Sequence, residues 1–228
     1  MTTTVVTESH SYLQLAAAFC RGRLALALDT TDADAVAAGV RAGLRLHKFK
    51  RNAELPRVRR VLGAVAAFAP ASLLDVGSGR GTFLWPLLDA FSALTVIAID
   101  QSAQRASDLA CVGRGGHAPL RAARMDATRL ALASRSLDGV TALEVLEHLR
   151  EPLHAVRELV RIAQRFVLVT VPAHADDNPE HLHLLTPERL RTMFEAAAVD
   201  ERRALRLRFD AIRDHTMAVA TFSDGPAV

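Results

Sequence analysis

The hydrophobic pattern of the chain alternates between two periods from about residue 70 onward. Short apolar runs rich in β-branched residues predict buried strands, and segments with apolar residues every three or four positions predict helices. Strands are predicted at 72–76, 94–100, 118–123, 136–143, 165–171, 204–209 and 216–222. Helices are predicted between them, at 82–91, 144–163 and 186–198. This alternation indicates an α/β fold built on one sheet.

The first quarter of the chain has a different pattern. Residues 1–10 are polar without a period and are predicted to lack regular structure. Residues 11–52 are rich in alanine and leucine, and the polar stretch at 29–34 interrupts them. We therefore predict two helices before the strands begin.

A third helix is predicted to begin at Pro56, because proline is tolerated in the first turn of a helix. Pro70 ends this helix just before the first strand. A chain of 228 residues has room for one large α/β domain with some extra helix. We expect a helical extension at 1–55 and the α/β domain at 56–228.

A glycine-rich turn follows the first strand. Gly77, Gly79 and Gly81 separate the strand at 72–76 from the next helix, and such a turn brings backbone N–H groups and a helix start close to a ligand. A dinucleotide-binding turn needs its third glycine at the sixth position, which is Thr82 here. The pattern therefore disfavours NAD and favours another nucleotide-like ligand.

The segment Asp75-Val-Gly-Ser-Gly-Arg-Gly81 resembles motif I of the class I S-adenosylmethionine (SAM)-dependent methyltransferases. Asp100 at the end of the second apolar run, Asp126 after the third and the segment 136–149 match that superfamily in order and spacing. The resemblance implies a Rossmann-like sheet of seven mostly parallel strands, with helices on both faces and a C-terminal antiparallel hairpin. It also implies that the N-terminal helices can cover the active site, and the alternative is that they only pack against the domain.

The resemblance assigns the cofactor site residue by residue. Gly77, Ser78, Gly79 and Gly81 would hold the aminoacyl and ribose region. Asp75 would hold the amino end, and Asp100 with Gln101 would hold the ribose. The adenine would lie against Asp126 and Ala127, although a loop acid or a cap is the alternative for Asp126. Glu144 would lie near the methyl group.

The segment after the fourth strand carries the candidate catalytic groups. His148 and His181 are predicted to act as a general base or to contact the substrate. A helix from residue 144 would bring Glu144, Glu147 and His148 together on one side. The segment also resembles the metal-dependent small-RNA 2′-O-methyltransferases, which implies a divalent metal on these three residues and His181, with His183 as a substitute. His215 is expected to be structural.

The metal is not the favoured expectation. The loop that leads to His181 is short, and the sequence lacks a separate module that would bind an RNA end. Many metal-free relatives carry a similar Glu-x-x-Glu-His segment. The sequence therefore favours a site without a metal, with Glu144, Glu147, His148 and His181 as the alternative ligand set.

Charge and composition limit the partners. The net charge is +3, and the one cluster of basic residues lies at 41–60, where only Phe49 could stack on a base. This favours a solvated helix surface over a nucleic-acid site. Cys20 and Cys111 lie far apart, no apolar run approaches about 20 residues and no signal peptide is present, so we expect a cytoplasmic protein without a membrane span.

The sequence thus predicts an enzyme that transfers a methyl group from SAM to an oxygen, or less favourably a nitrogen, of a small molecule. Two alternatives remain open. One is a metal-dependent RNA ribose 2′-O-methyltransferase, and the other is a non-catalytic SAM-binding protein that regulates a partner enzyme. The pattern decides neither the substrate nor the oligomeric state.

Overall fold

The computed structural model describes residues 3–49 and 55–224, and its centre is one seven-stranded sheet. The strands are β1 Ser72–Val76, β2 Thr95–Asp100, β3 Leu120–Arg124, β4 Leu137–Leu143, β5 Ala163–Pro172, β6 Arg203–Ile212 and β7 His215–Asp224. Their spatial order is β3-β2-β1-β4-β5-β7-β6. The first five strands pair in parallel, and β7 is antiparallel to both β5 and β6. The predicted mostly parallel sheet and its C-terminal hairpin are confirmed.

Helices cover both faces of this sheet. They are α1 Thr3–Leu24, α2 Asp32–Arg41, α3 Pro56–Phe68, α4 Leu84–Ala90, α5 Ala103–Arg114, α6 Pro152–Ile162 and α7 Pro187–Asp200. Neighbouring residues of β1 point to opposite faces, so Leu73 joins the core beneath α1 to α5, and Leu74 joins the core beneath α6 and α7. None of the helices in the described ranges is long and apolar enough to cross a membrane.

Local chemistry explains where several helices begin and end. Thr186 caps α7, because its Oγ1 accepts a hydrogen bond from the backbone N–H of Arg189 at 3.3 Å, and Pro187 occupies the first turn. Pro56 likewise occupies the first turn of α3, without a side-chain cap before it. That helix ends at Ala69, whose φ of 44° is left-handed, and Pro70 follows. These predicted boundaries are confirmed.

The N-terminal helices pack on α5. Close backbone approach requires small residues there: a Cβ on Gly22 would lie 1.9 Å from the carbonyl oxygen of Cys111. A Cβ on Gly115 would lie 1.7 Å from the carbonyl oxygen of Ala18. The prediction of an irregular segment at 1–10 is wrong for residues 3–10, which form the first turns of α1. The polar sequence of these residues shows no helical period, so the pattern could not predict this helix.

The segment after β4 differs from its prediction. No helix begins at Glu144, whose φ of 56° is left-handed. A single 3₁₀ turn at Leu146–His148 follows, and α6 begins only at Pro152. Leu146 lies in the 3₁₀ turn and is buried, so the apolar spacing continues across the break. The hydrophobic period alone therefore could not reveal that the helix is interrupted.

Candidate active site

The glycine turn after β1 depends on residues without a Cβ. Gly77 has a φ of 68° and Gly81 a φ of 84°. A Cβ on Gly77 would lie 2.5 Å from Cγ2 of Val145, and one on Gly81 would lie 2.0 Å from the Trp85 ring. The turn can therefore approach both the end of β4 and the start of α4 only with glycine at these positions.

Two cavities meet at this turn. A cleft of about 670 Å³ extends from Asp100, Gln101 and Ala127 to His148 and Leu182. A smaller cavity of about 140 Å³ lies on the other side; its lining includes Asp75, Ser78, Gly79 and Arg57. Both lie at the carboxyl ends of β1 and β4, where open α/β sheets bind their ligands.

Asp100 closes the turn from the neighbouring strand. Its carboxylate is 4% exposed and accepts hydrogen bonds from the backbone N–H of Gly79 at 2.9 Å and of Ser102 at 2.8 Å. Arg105 lies 3.8 Å away. Each carboxylate oxygen can accept more than one bond, so this acid can also face a polar ligand in the cleft.

Asp75 is buried beside the smaller cavity. Its Oδ1 accepts a hydrogen bond from Oγ1 of Thr141 at 2.8 Å, whereas Oδ2 has no partner among the described residues. Burial raises the pKa of Asp75 to about 6, because the charged form is poorly solvated there. A cationic group in the cavity would supply the missing partner.

The two residues predicted at the adenine behave differently. Ala127 lines the cleft, but the carboxylate of Asp126 is not part of its lining. Asp126 instead accepts hydrogen bonds from the backbone N–H and Oγ1 of Thr128, at 2.9 and 2.8 Å, and these bonds hold its pKa below the usual range. These local bonds are those expected of a loop acid or a cap, the alternative for Asp126. A contact between Asp126 and the adenine stays a prediction.

The carboxylate of Glu144 contacts residues of β5 and β7. The helical grouping with Glu147 and His148 is wrong, because the left-handed backbone at Glu144 turns the chain. Its Oε1 accepts a hydrogen bond from Oγ1 of Thr170 at 2.9 Å. Its Oε2 lies 3.0 Å from Nε2 of His215, the residue expected to be only structural.

Glu147, His148 and His181 converge instead. One potential ligand atom of each lies within 4.8 Å of the others. His148 Nδ1 is 2.9 Å from the carbonyl oxygen of Glu180, and His181 Nδ1 is 2.8 Å from Oδ1 of Asp176. The hydrogen bonds fix both rings and leave Nε2 as the nitrogen that each can offer. His183 lies outside this group, 3.3 Å from the carbonyl oxygen of Arg150.

Glu147 is fully buried, and both of its carboxylate oxygens lack a hydrogen-bond partner among the described residues. Burial raises its pKa to about 8, and Glu144 and Asp176 add to the shift by repulsion. A buried acid without partners either stays protonated or requires a cation beside it.

The N-terminal segment and the basic residues contribute little to the cavities. Residues 3–49 supply no lining residue to either cavity, so a role as a lid stays a prediction. Arg57 lines the smaller cavity, and Arg60 forms an ion pair with Asp210 at 2.8 Å. Lys50 and Arg51 lie outside the described residues.

Comparison with known proteins agrees with this geometry. Residues 74–166 match the family model described as a methyltransferase domain. The chain is 35% identical over 164 residues to 2-ketoarginine methyltransferase of Streptomyces arginensis, covering 60% of the chain and 46% of that protein. It is 34% identical over 106 residues to demethylmenaquinone methyltransferase of Renibacterium salmoninarum, covering 46% and 42% respectively. It thus spans less than half the length of these curated relatives.

A solved structure shares the fold. A SAM-dependent methyltransferase from Aquifex aeolicus superposes with a TM-score of 0.59 at 20% identity, over 75% of this chain and 92% of that one. The sheet order and the glycine turn define an α/β domain with the methyltransferase fold. The chain is similar to the class I SAM-dependent methyltransferases in its fold and, over residues 74–166, in its sequence.

Proposed function

We propose that this protein transfers the methyl group of SAM to an oxygen, or less favourably a nitrogen, of a small molecule. The observation that carries the proposal is the pair of acids on either side of the glycine turn. Asp75 offers an unpartnered carboxylate oxygen where the cofactor's ammonium would lie, and Asp100 faces the cleft where its ribose would lie. The residues present therefore fit the cofactor that the superfamily uses.

The cofactor supplies a methyl group activated by a sulfonium, so the protein must mainly align the acceptor and exclude water. The N–H groups of the glycine turn and Asp75 would hold the amino acid end. Asp100 and Gln101 would hold the ribose, with Ala127 and Asp126 at the adenine. Glu144 would lie close to the methyl group.

The acceptor would enter the part of the cleft beyond Glu144, which reaches His148, Leu149 and Leu182. A nucleophile in this space lies beside His148, whose ring could take its proton. His181 is 4.8 Å from His148 between ring centroids and could serve in the same way. The two curated relatives are named for small molecules, 2-ketoarginine and demethylmenaquinone, which supports a small acceptor.

Calorimetry tests the cofactor site. SAM and S-adenosylhomocysteine should bind, and NAD should not bind comparably. Asp100→Ala should weaken binding by at least tenfold, because hydrogen bonds to a carboxylate contribute about 1.5–3 kcal/mol each. Asp177→Ala, an exposed acid of the loop after β5, should leave the affinity unchanged. Equal affinity in both variants would contradict the ribose assignment.

A methyl-labelling experiment separates the three functions. The protein is incubated with SAM labelled in the methyl group and a cell extract divided into small molecules and RNA. Label in the small-molecule fraction supports the proposal, and mass spectrometry of the product identifies the acceptor atom. Label in RNA supports the ribose methyltransferase. Intact cofactor binding without any transfer supports the regulatory alternative.

The burial of Glu147 supports a second version of the reaction, in which a divalent metal would activate the acceptor. Glu147, His148 and His181 would hold the ion, and two imidazoles with a carboxylate suit several divalent transition metals. The unpartnered oxygens of Glu147 fit this donor set. The ion would act as a Lewis acid beside the acceptor.

Metal binding can be measured without turnover. Mn²⁺ should raise the melting temperature of the wild-type protein by mass action, and Glu147→Gln should abolish this shift. Glu195→Gln, an exposed acid on α7, should retain it. Full activity in excess chelator, together with no shift in the wild type, would exclude this version.

A further inference from the structure

Three residues line both the cleft and the smaller cavity, namely Val76, Gly77 and Glu144. Val76 is apolar and Gly77 has no side chain. Glu144 is therefore the residue with an ionisable side chain at the junction of the two cavities. Its side chain is 23% exposed, so the carboxylate can reach a ligand that passes from one cavity to the other.

The protein holds Glu144 tightly at this point. The left-handed backbone at a residue other than glycine costs free energy, and such strain is found where the surrounding structure enforces it. The backbone N–H of Glu144 donates to the carbonyl oxygen of Thr170 at 3.0 Å, and Oγ1 of Thr170 donates to the carboxylate. Nε2 of His215 lies 3.0 Å from the other carboxylate oxygen.

The chemistry of the cofactor decides what meets Glu144. In SAM the sulfur joins the ribose to the amino acid chain. With the ribose at Asp100 in the cleft and the ammonium at Asp75 in the smaller cavity, the sulfur must lie between the two cavities. This step rests on the proposed function.

We propose that Glu144, positioned by Thr170 and His215, makes the site prefer the charged sulfonium donor to its neutral thioether product. SAM and S-adenosylhomocysteine share the ammonium, carboxylate, ribose and adenine, so their contacts with the rest of the site are the same. They differ in the methyl group and in one positive charge on sulfur. A carboxylate at the junction attracts that charge, and the attraction ends when the methyl group leaves. The pair thus favours loading of the donor and release of the product.

The test is the ratio of two dissociation constants, that of S-adenosylhomocysteine divided by that of SAM. Calorimetry at pH 7.5 on the full chain measures both ligands. Glu144→Gln keeps the shape of the side chain and removes its charge, so we expect this ratio to fall about tenfold. The affinity for S-adenosylhomocysteine should change less than twofold, which also shows that the variant is folded.

Glu180→Gln is the matched control. Glu180 lines the cleft but not the smaller cavity, and its side chain is exposed. The same change of charge there should leave the ratio as in the wild type. A similar fall of the ratio in this variant would overturn the proposal, because the preference for SAM would then not depend on the position of Glu144.

His215 is tested as a positioning residue. His215→Ala should lower the ratio several-fold, and His215→Gln, which keeps a polar N–H group near Glu144, should restore most of it. An unchanged ratio in Glu144→Gln, or an equal loss of affinity for both ligands, would overturn the inference and leave the proposed function intact. Failure of the wild-type protein to bind either ligand would instead contradict the proposed function.

Discussion

The imidazole rings of His148 and His181 meet edge to face, with their centroids 4.8 Å apart, although one ring follows β4 and the other precedes α7. Each Nδ1 is engaged with an oxygen of the 176–180 loop, at Glu180 or Asp176. The loop therefore orients both imidazoles, and His148 lines the cleft. Because an oxygen accepts the hydrogen bond, Nδ1 of each ring carries a proton, and Nε2 is the nitrogen that each ring can offer to a ligand.

Removal of either ring should impair transfer without impairing cofactor binding. We expect His148→Ala or His181→Ala to lower the rate about 10²–10⁴-fold if that histidine is the base, because a base acts in the transition state. The labelled-methyl assay measures the rate and calorimetry measures S-adenosylhomocysteine affinity. His154→Ala, an exposed histidine of α6, serves as control. Full activity in both site variants would leave alignment of the acceptor as the only contribution.

The raised pKa of Glu147 predicts a specific pH dependence of stability in chelator. The unfolded carboxyl ionises from about pH 4.5, whereas the folded one stays protonated until about pH 8. The unfolded state therefore binds fewer protons in this window, and its ionisation lowers the free energy of unfolding as pH rises. The loss is on the order of 4 kcal/mol for a shift of this size.

Urea unfolding at pH 5 and pH 8.5 measures this effect. Glu147→Gln cannot ionise, so its stability relative to the wild type should rise by a few kcal/mol between the two pH values. Glu195→Gln should show no such change, because this acid is exposed. A constant difference for Glu147→Gln would mean that its carboxyl is not held neutral by burial.

Asp75 should make cofactor binding depend on pH. With a pKa of about 6, its carboxyl is protonated in mild acid and cannot pair with the cofactor's ammonium. The affinity for S-adenosylhomocysteine should therefore rise between pH 5 and pH 7. Asp75→Asn should bind at least tenfold more weakly at pH 7 and lose most of this dependence. Calorimetry across the pH range checks both, and an unaltered profile in the variant would place the titrating group elsewhere.

Two glycines should respond to alanine in opposite directions. Gly77→Ala places a Cβ 2.5 Å from Val145 at a positive φ, so it should destabilise the fold by about 1–3 kcal/mol and weaken cofactor binding. Gly63 lies inside α3 with no atom within 4 Å of the added Cβ. Gly63→Ala should therefore stabilise the protein by about 0.5–1 kcal/mol. Thermal unfolding and calorimetry measure the two effects, and a stabilised Gly77→Ala would contradict the geometry of the turn.

Much of the fold could be predicted from local sequence. The short apolar run at 72–76 coincides with β1, because such a run ended by glycine predicts a buried strand. The cap at Thr186 and the proline at the start of α3 also act within one turn of chain. Motif I, with Asp75 and its three glycines, is likewise a local pattern, so the superfamily and the cofactor could be predicted from it.

The acceptor side of the site was decided by tertiary structure. β7 inserts between β5 and β6, and its register pairs His215 with Pro172, which brings that histidine to Glu144. No spacing along the chain encodes this contact. The left-handed backbone at Glu144 breaks the predicted helix, and the sequence did not reveal this because the apolar period continues through the break. Sequence determined the strands and the glycine turn through short-range sterics, whereas sheet order and burial decided which acids and histidines meet.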